Sequence, residues 1–87
     1  MKELINQHDA EGRPHGLWEY YYPDGTLWWR AHWHHGKGHG VWEGYWHDGT
    51  LRWREHWHYG EKRGIEKWWN KQGVISVKSY HLVIKWF

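Results

Sequence analysis

Two consecutive stretches of 24 residues, GLWEYYYPDGTLWWRAHWHHGKGH (16–39) and GVWEGYWHDGTLRWREHWHYGEKR (40–63), agree at 14 positions without a gap. A third stretch, GIEKWWNKQGVISVKSYHLVIKWF (64–87), keeps Gly64 and Gly73 in register and places Ile75 where Leu27 and Leu51 stand. Residues 4–15 read as the back half of another copy, with His8, Gly12, Arg13 and His15 falling on His32, Gly36, Lys37 and His39. A fixed period restricts a chain to architectures that stack one small unit on the next, because each unit alone cannot bury its apolar face. The expectation is therefore one domain, 1–87, made of a half-repeat at 4–15, repeats at 16–39 and 40–63, and a divergent capping repeat at 64–87.

Turn chemistry defines the unit. In YPDGT (22–26) Pro23 suits the first corner of a type I turn, Asp24 the second, and Gly25 the position where φ turns positive. WHDGT (46–50) repeats this without the proline, and NKQGV (70–74) is a weaker version. A second turn, HHGKGHG and then HYGEKRG, joins successive units. Between turns lie short runs rich in Trp, Tyr, Leu and Thr, which favour strands. No useful helical period occurs. The fold expected is all-β: consecutive antiparallel hairpins forming a single elongated, twisted sheet.

Pairing Tyr22 with Thr26 assigns two faces. Leu17, Glu19, Tyr21, Leu27, Trp29, Ala31 and Trp33 would share one face, with Val41, Tyr45, Leu51, Trp53 and Trp57 from the next copy. Trp18, Tyr20, Tyr22, Trp28, Arg30, His32 and His34 would share the other, with Trp42, Trp46, Arg52, Arg54, His56 and His58. The first reads as the packing face. The second, aromatic and basic, reads as the contact face. A one-residue slip would exchange every assignment.

The pattern of glycine, an aromatic two residues on, a Tyr-rich strand, Asp-Gly then Leu, and an aromatic before a Gly-Lys turn resembles MORN repeats. The residues that carry it are Gly16, Trp18, Tyr21, Tyr22, Asp24, Gly25, Leu27, Trp33, Gly36 and Lys37, then Gly40, Trp42, Tyr45, Asp48, Gly49, Leu51, Trp57 and Gly60. The bacterial, antitoxin-type MORN variant is the nearer likeness. The resemblance implies a sheet of hairpins used as a binding scaffold, sometimes self-associating, with no catalytic residues of its own. Trp and His stand here where that family usually has Tyr, Asn or acidic residues.

Composition narrows the chemistry. There is no cysteine, so disulfides and thiolate metal sites are excluded. Nothing approaches the run of about 18 apolar residues that spans a membrane, and a soluble cytoplasmic protein is expected. Net charge is +2 with histidines neutral, too little for a long polyanionic ligand. Ten histidines invite a metal, but equivalent columns lie about 10 Å apart, two strands away, so a four-ligand shell is hard to close; no metal and no cofactor is expected. Acidic and hydroxyl groups recur by repeat, whereas an enzyme needs one asymmetric constellation in a pocket, so no catalytic residue is assigned.

Stoichiometric protein binding is the leading expectation. Surfaces rich in Trp, Tyr and Arg have the make-up of interface hot spots. The partner-binding residues expected are Trp18, Trp28, Arg30, His32, His34, Trp42, Arg52, Arg54, His56 and His58, acting on a toxin or a defence component in an antitoxin or phage counter-defence role. The alternative is a nucleotide or short single-stranded nucleic acid, held by Trp stacking and by Arg and His phosphate contacts. The terminal Leu82, Val83, Ile84, Trp86 and Phe87 exceed what one strand of a thin sheet can bury, which predicts a homodimer. Histidines placed beside Arg30, Arg52 and Arg54 would have depressed pKa values, so stability is expected to fall between about pH 7 and pH 5.

Overall fold

The computed structural model describes residues 4–80. Among them there is no helix; the strands are β1 (Gln7–His8), β2 (Pro14–Tyr21), β3 (Leu27–His34), β4 (Lys37–Gly38), β5 (Gly40–Tyr45), β6 (Leu51–His58), β7 (Glu61–Trp69) and β8 (Ile75–Tyr80). All join one antiparallel sheet in the order β1-β2-β3-β5-β6-β7-β8, with β4 beside β3. Apart from the two-residue β4, which lies off this path, each strand pairs with the next in sequence, as the repeat predicts. The terminal residues 82–87, expected to mediate self-association, lie outside the described residues.

The period is written in the backbone. All nine positive-φ glycines fall into three series spaced by 24: Gly12, Gly36, Gly60; Gly16, Gly40, Gly64; and Gly25, Gly49, Gly73. In the last series the chain closes each hairpin the same way. Gly25 N–H donates to Tyr22 O at 2.9 Å and Tyr22 N–H to Thr26 O at 2.9 Å, and the 46–50 and 70–74 turns repeat both bonds. Asp24 Oδ1 accepts from Thr26 N–H and Oγ1 at 2.9 and 2.7 Å, and Asp48 does the same for Thr50 at 2.9 and 2.6 Å. The aspartate serves the turn by holding its own backbone two residues on.

The turns are as expected, but the register beyond them is not. Tyr21 lies opposite Leu27 while Tyr20 lies opposite Trp29, so Trp28 is an extra residue in β3; Arg52 is the corresponding insertion in β6, between Leu51 opposite Tyr45 and Trp53 opposite Gly44. One inserted residue reverses the alternation on one strand only. Trp18 therefore pairs with Ala31, and Glu19 with Arg30. The two faces assigned from sequence must be corrected by exchanging partners across each hairpin.

There is no thick core. Ala31 is fully buried, Glu55 and Glu66 are the buried polar residues, and no large side chain is fully enclosed among the described residues. The thinnest extent is 22 Å against 53 Å and 41 Å, which fits one sheet with side chains on both sides. Stability rests on ring-against-ring contact across a single layer, where each aromatic pair contributes about 0.5–1.5 kcal/mol beyond its buried area.

Candidate functional site

One face is a row of rings. Tyr20 and Trp29 stack with centroids 4.0 Å apart and planes at 6°. From Trp29 the row continues to Trp42 at 5.7 Å and to Trp53 at 6.3 Å, then from Trp53 to Trp68 at 6.2 Å. Trp42 also meets Trp33 and Trp57, each at 4.8 Å. The indoles are anchored by their N–H groups: Trp18 Nε1 donates to Gln7 O at 2.9 Å, Trp42 Nε1 to His32 O at 3.0 Å, and Trp57 Nε1 to Glu55 Oε1 at 3.2 Å. Trp33 Nε1 is buried with no partner among the described residues.

Gly44 makes the middle of this row possible. A side chain there would sit 2.1 Å from Trp53 Nε1, so only hydrogen lets the indole lie on the strand. Position 44 carries tyrosine in the preceding repeat, Tyr20, and tryptophan in the next, Trp68. A glycine inside a strand pattern, at the place where its repeat partners are aromatic, is the sequence sign of close approach.

At the far end of the row, Lys62 Nζ bridges Glu55 Oε2 at 2.9 Å and Glu66 Oε1 at 2.8 Å, and Tyr80 Oη donates to Glu66 Oε2 at 3.2 Å. Burial, then the neighbouring Glu66, pushes the Glu55 carboxyl up. The hydrogen bond from Glu55, together with Lys62, holds Glu66 down despite its burial. Burial also works against the Lys62 ammonium, but the two carboxylates outweigh it and hold its pKa above the usual range. The trio ties β6 to β7 and, through Tyr80, to β8.

The opposite face is polar. Arg54 Nη2 and Nε reach Glu43 Oε2 at 2.7 and 3.0 Å, and Arg30 Nη2 reaches Glu19 Oε2 at 3.3 Å. Tyr21 Oη donates to Glu19 Oε1 at 3.0 Å, and His32 Nδ1 lies 2.9 Å from Val41 O. Beside these pairs lies a cluster of imidazoles and one phenol. His15 stacks on His35 at 4.3 Å, and His39 on Tyr59 at 4.2 Å. The turn residues His35 and Tyr59 hold φ of 46° and 45°. Their N–H groups are capped by His15 Nδ1 at 3.1 Å and His39 Nδ1 at 3.3 Å, one device used twice at a spacing of 24.

His15, His34 and His35 bring ring nitrogens within 4.8 Å of one another and are the group with metal-ligand potential among the described residues. Two are already engaged. His15 Nδ1 spends its lone pair on the His35 N–H, and His35 Nδ1 lies 2.7 Å from Asp9 Oδ2. Ligation through His15 Nε2 would move its proton to Nδ1 and leave that N–H without an acceptor. Desolvation, then the neighbouring rings of His35, His15 and His39, lowers the His34 pKa. Its depressing neighbours are histidines and not the arginines expected from sequence. Asp9 gains the opposite way: burial disfavours its charge, but the Arg13 N–H, the His35 ring, the Arg13 guanidinium and the Glu11 N–H outweigh that and hold it far below the carboxylate range.

The stripe expected from sequence is thus divided. Trp18 and Trp42 belong to the aromatic row; Arg30, His32, Arg54 and His56 lie on the polar face; His34 and His58 join the imidazole cluster. Trp28 and Arg52, the two inserted residues, border an open cavity with Trp29, Trp42, Trp53, Glu55 and Trp68, of about 460 Å³. Sequence reasoning gave Trp29, Trp33, Trp53 and Trp57 to a packing face, yet no second layer covers them among the described residues. It placed Trp46 on the contact face without naming it among the binding residues, and it passed over Lys71. The equivalence of positions 28 and 52 was the available signal. The chain matches no protein-family model, no curated protein and no solved structure.

Proposed function

We propose that this chain is a non-enzymatic, MORN-like binding protein that takes up a protein partner stoichiometrically on its aromatic face. A toxin or a defence component of the cytoplasm is the class of partner, and the outcome is neutralisation or sequestration. The observation that carries the reading is the uncovered row from Tyr20 to Trp68, with Trp28 and Trp68 exposed at 45% and 42%. Contiguous exposed apolar surface marks interaction sites, and desolvated Trp and Arg dominate interface energies. Self-association belongs to the same reading. The edge of β8 has no neighbour among the described residues, and Ile65, Ile75 and Val77 are exposed beside it.

The test is paired capture from a lysate with the wild-type chain, Trp28→Ala with Trp68→Ala, and His56→Ala. The reading expects the partner retained by the wild type and by His56→Ala, and lost from the double variant. Retention by the double variant would defeat it. Sedimentation of the full chain, which should show a dimer, checks self-association separately.

A further inference from the structure

We propose that the aromatic face contains a binding site for a nucleoside phosphate, its base lying against the tryptophans of the open trough and its phosphate held by Arg52 and Lys71. The site shares Trp28 and Trp68 with the surface proposed for the protein partner, but the argument for it does not rest on that reading. Arg52 is its hinge. Of the five arginines, Arg13, Arg30, Arg54 and Arg63 each lie against a carboxylate, whereas Arg52 has none within ion-pair distance among the described residues. Its guanidinium lies 4.4 Å from the centre of the Trp46 ring, and Lys71 Nζ lies 5.5 Å from the same ring. Two cations therefore converge on one indole, and neither is neutralised by an ion pair.

The space around them has two parts that share Arg52. One is the trough of about 460 Å³ in which Trp28, Trp53 and Trp68 offer ring faces or edges. The other is a cleft of about 450 Å³ bordered by Arg52, Lys71, Trp46, His47 and Asp48. Their sizes fall in the range of small-ligand sites, roughly 300–1,000 Å³. Of the acidic residues at the borders, Glu55 is paired with a cation, and Asp48 stays charged, its field reaching Lys71 from beyond ion-pair distance. Glu55 is bound by Lys62 at 2.9 Å, and Asp48 Oδ1 accepts two hydrogen bonds from Thr50. A planar base gains from stacking on indoles irrespective of its identity, and a guanidinium suits the phosphate. An apolar ligand would leave Arg52 unused, and a bare phosphate would leave the trough empty.

Isothermal titration of the full chain with adenosine 5′-monophosphate, adenosine and inorganic phosphate tests the site. The monophosphate should bind, adenosine about a hundredfold more weakly, as expected for losing the charge-assisted contacts to both cations, and phosphate alone without measurable heat. Arg52→Ala should weaken the monophosphate by about tenfold, while Arg30→Ala on the other face leaves it unchanged. Indole N–H resonances should confirm that Arg52→Ala remains folded. Equal affinity for monophosphate and adenosine overturns the proposal. So does an unaltered Arg52→Ala, or binding of a polyglutamate peptide without binding of the nucleotide. Because partner capture is read separately, its failure leaves this result untouched, and the reverse holds too.

Discussion

Gly44→Ala isolates the packing that holds the sheet together. A methyl at this position would lie 2.1 Å from Trp53 Nε1, 2.2 Å from Cε2 and 2.7 Å from Cζ2. Ordinary contact begins near 3.4 Å, so the indole must withdraw by about 1 Å or more to reach it. It has little freedom to do so, with Trp29 at 6.3 Å on one side and Trp68 at 6.2 Å on the other. Overpacking of this kind costs about 1–3 kcal/mol, and a rigid ring wedged between rings belongs at the upper end. Each kcal/mol lowers the midpoint of a domain this size by roughly 4–8 °C. Alanine's better strand geometry offsets only a fraction of that, since glycine costs about 0.5–1 kcal/mol relative to alanine.

Thermal and urea unfolding of Gly44→Ala and Gly38→Ala measure the effect. At Gly38 the new methyl would meet Trp42 and Trp57 no closer than 3.0 Å, so its loss should be clearly smaller. A Trp53→Leu background should abolish most of the Gly44→Ala penalty, because the obstructing ring has gone. The reasoning is refuted if Gly44→Ala unfolds within about 0.5 kcal/mol of wild type, the range of an uninvolved surface change. It is also refuted if the penalty persists without Trp53.

Three further outcomes follow from the geometry. A double-mutant cycle of Glu43→Gln and Arg54→Leu should give a coupling of about 0.2–1 kcal/mol that shrinks at high salt, since the Arg54 side chain is 40% exposed and water screens the pair; a coupling of zero would mean the contact is ornamental. The lowered pKa of His34 means the unfolded chain takes up more protons, so the midpoint temperature should fall as pH drops below about 6.5 and then level off; His34→Gln should remove that step, and an unchanged profile would refute the assignment. Asp9, Asp24 and Asp48 have lowered pKa values, so they support the fold above about pH 4 and withdraw that support as they protonate below it, while the raised Glu55 acts in the opposite sense; Asp9→Asn should flatten part of the acid limb of a melting curve recorded from pH 5 to pH 2.

The hairpins were legible because turn chemistry is local: Asp24-Gly25 and Asp48-Gly49 fix the corner whatever lies around them. The faces were not legible, because the insertions at Trp28 and Arg52 follow no turn signature; a tryptophan and an arginine there read as ordinary alternating strand residues. That single displacement moved Arg30 and Arg54 against Glu19 and Glu43, turning a supposed contact stripe into cross-strand ion pairs. His35 and Tyr59 were opaque for a related reason. Their left-handed backbone is held by imidazoles 20 residues earlier, and no local preference for such bulky residues announces it.

The inserted position also explains how repeated hairpins come to present different chemistry. It is Trp28 in the first full repeat and Arg52 in the next; the third has no insertion, and the equivalent Ser76 lies in register opposite Trp68. Both inserted residues border the trough, where the strand is free of strict alternation and a change of residue disturbs no ladder pairing. The residue that opens each hairpin turn does the reverse and binds the repeats to one another. Tyr22 Oη donates forward to Tyr45 O at 2.8 Å, and Trp46 Nε1 donates forward to Trp69 O at 3.2 Å. In the third repeat the position is Asn70, whose Oδ1 accepts from Gln72 and Val74 within its own turn at 2.9 and 3.0 Å. An aromatic with a polar tip can cross to the next hairpin; an asparagine can only fold back. Stitching therefore runs through the first two full repeats and stops in the third, and there β8 is left with exposed Ile75 and Val77. Repetition sets the scaffold, and the residue inserted in each of the first two full hairpins sets what the scaffold can hold.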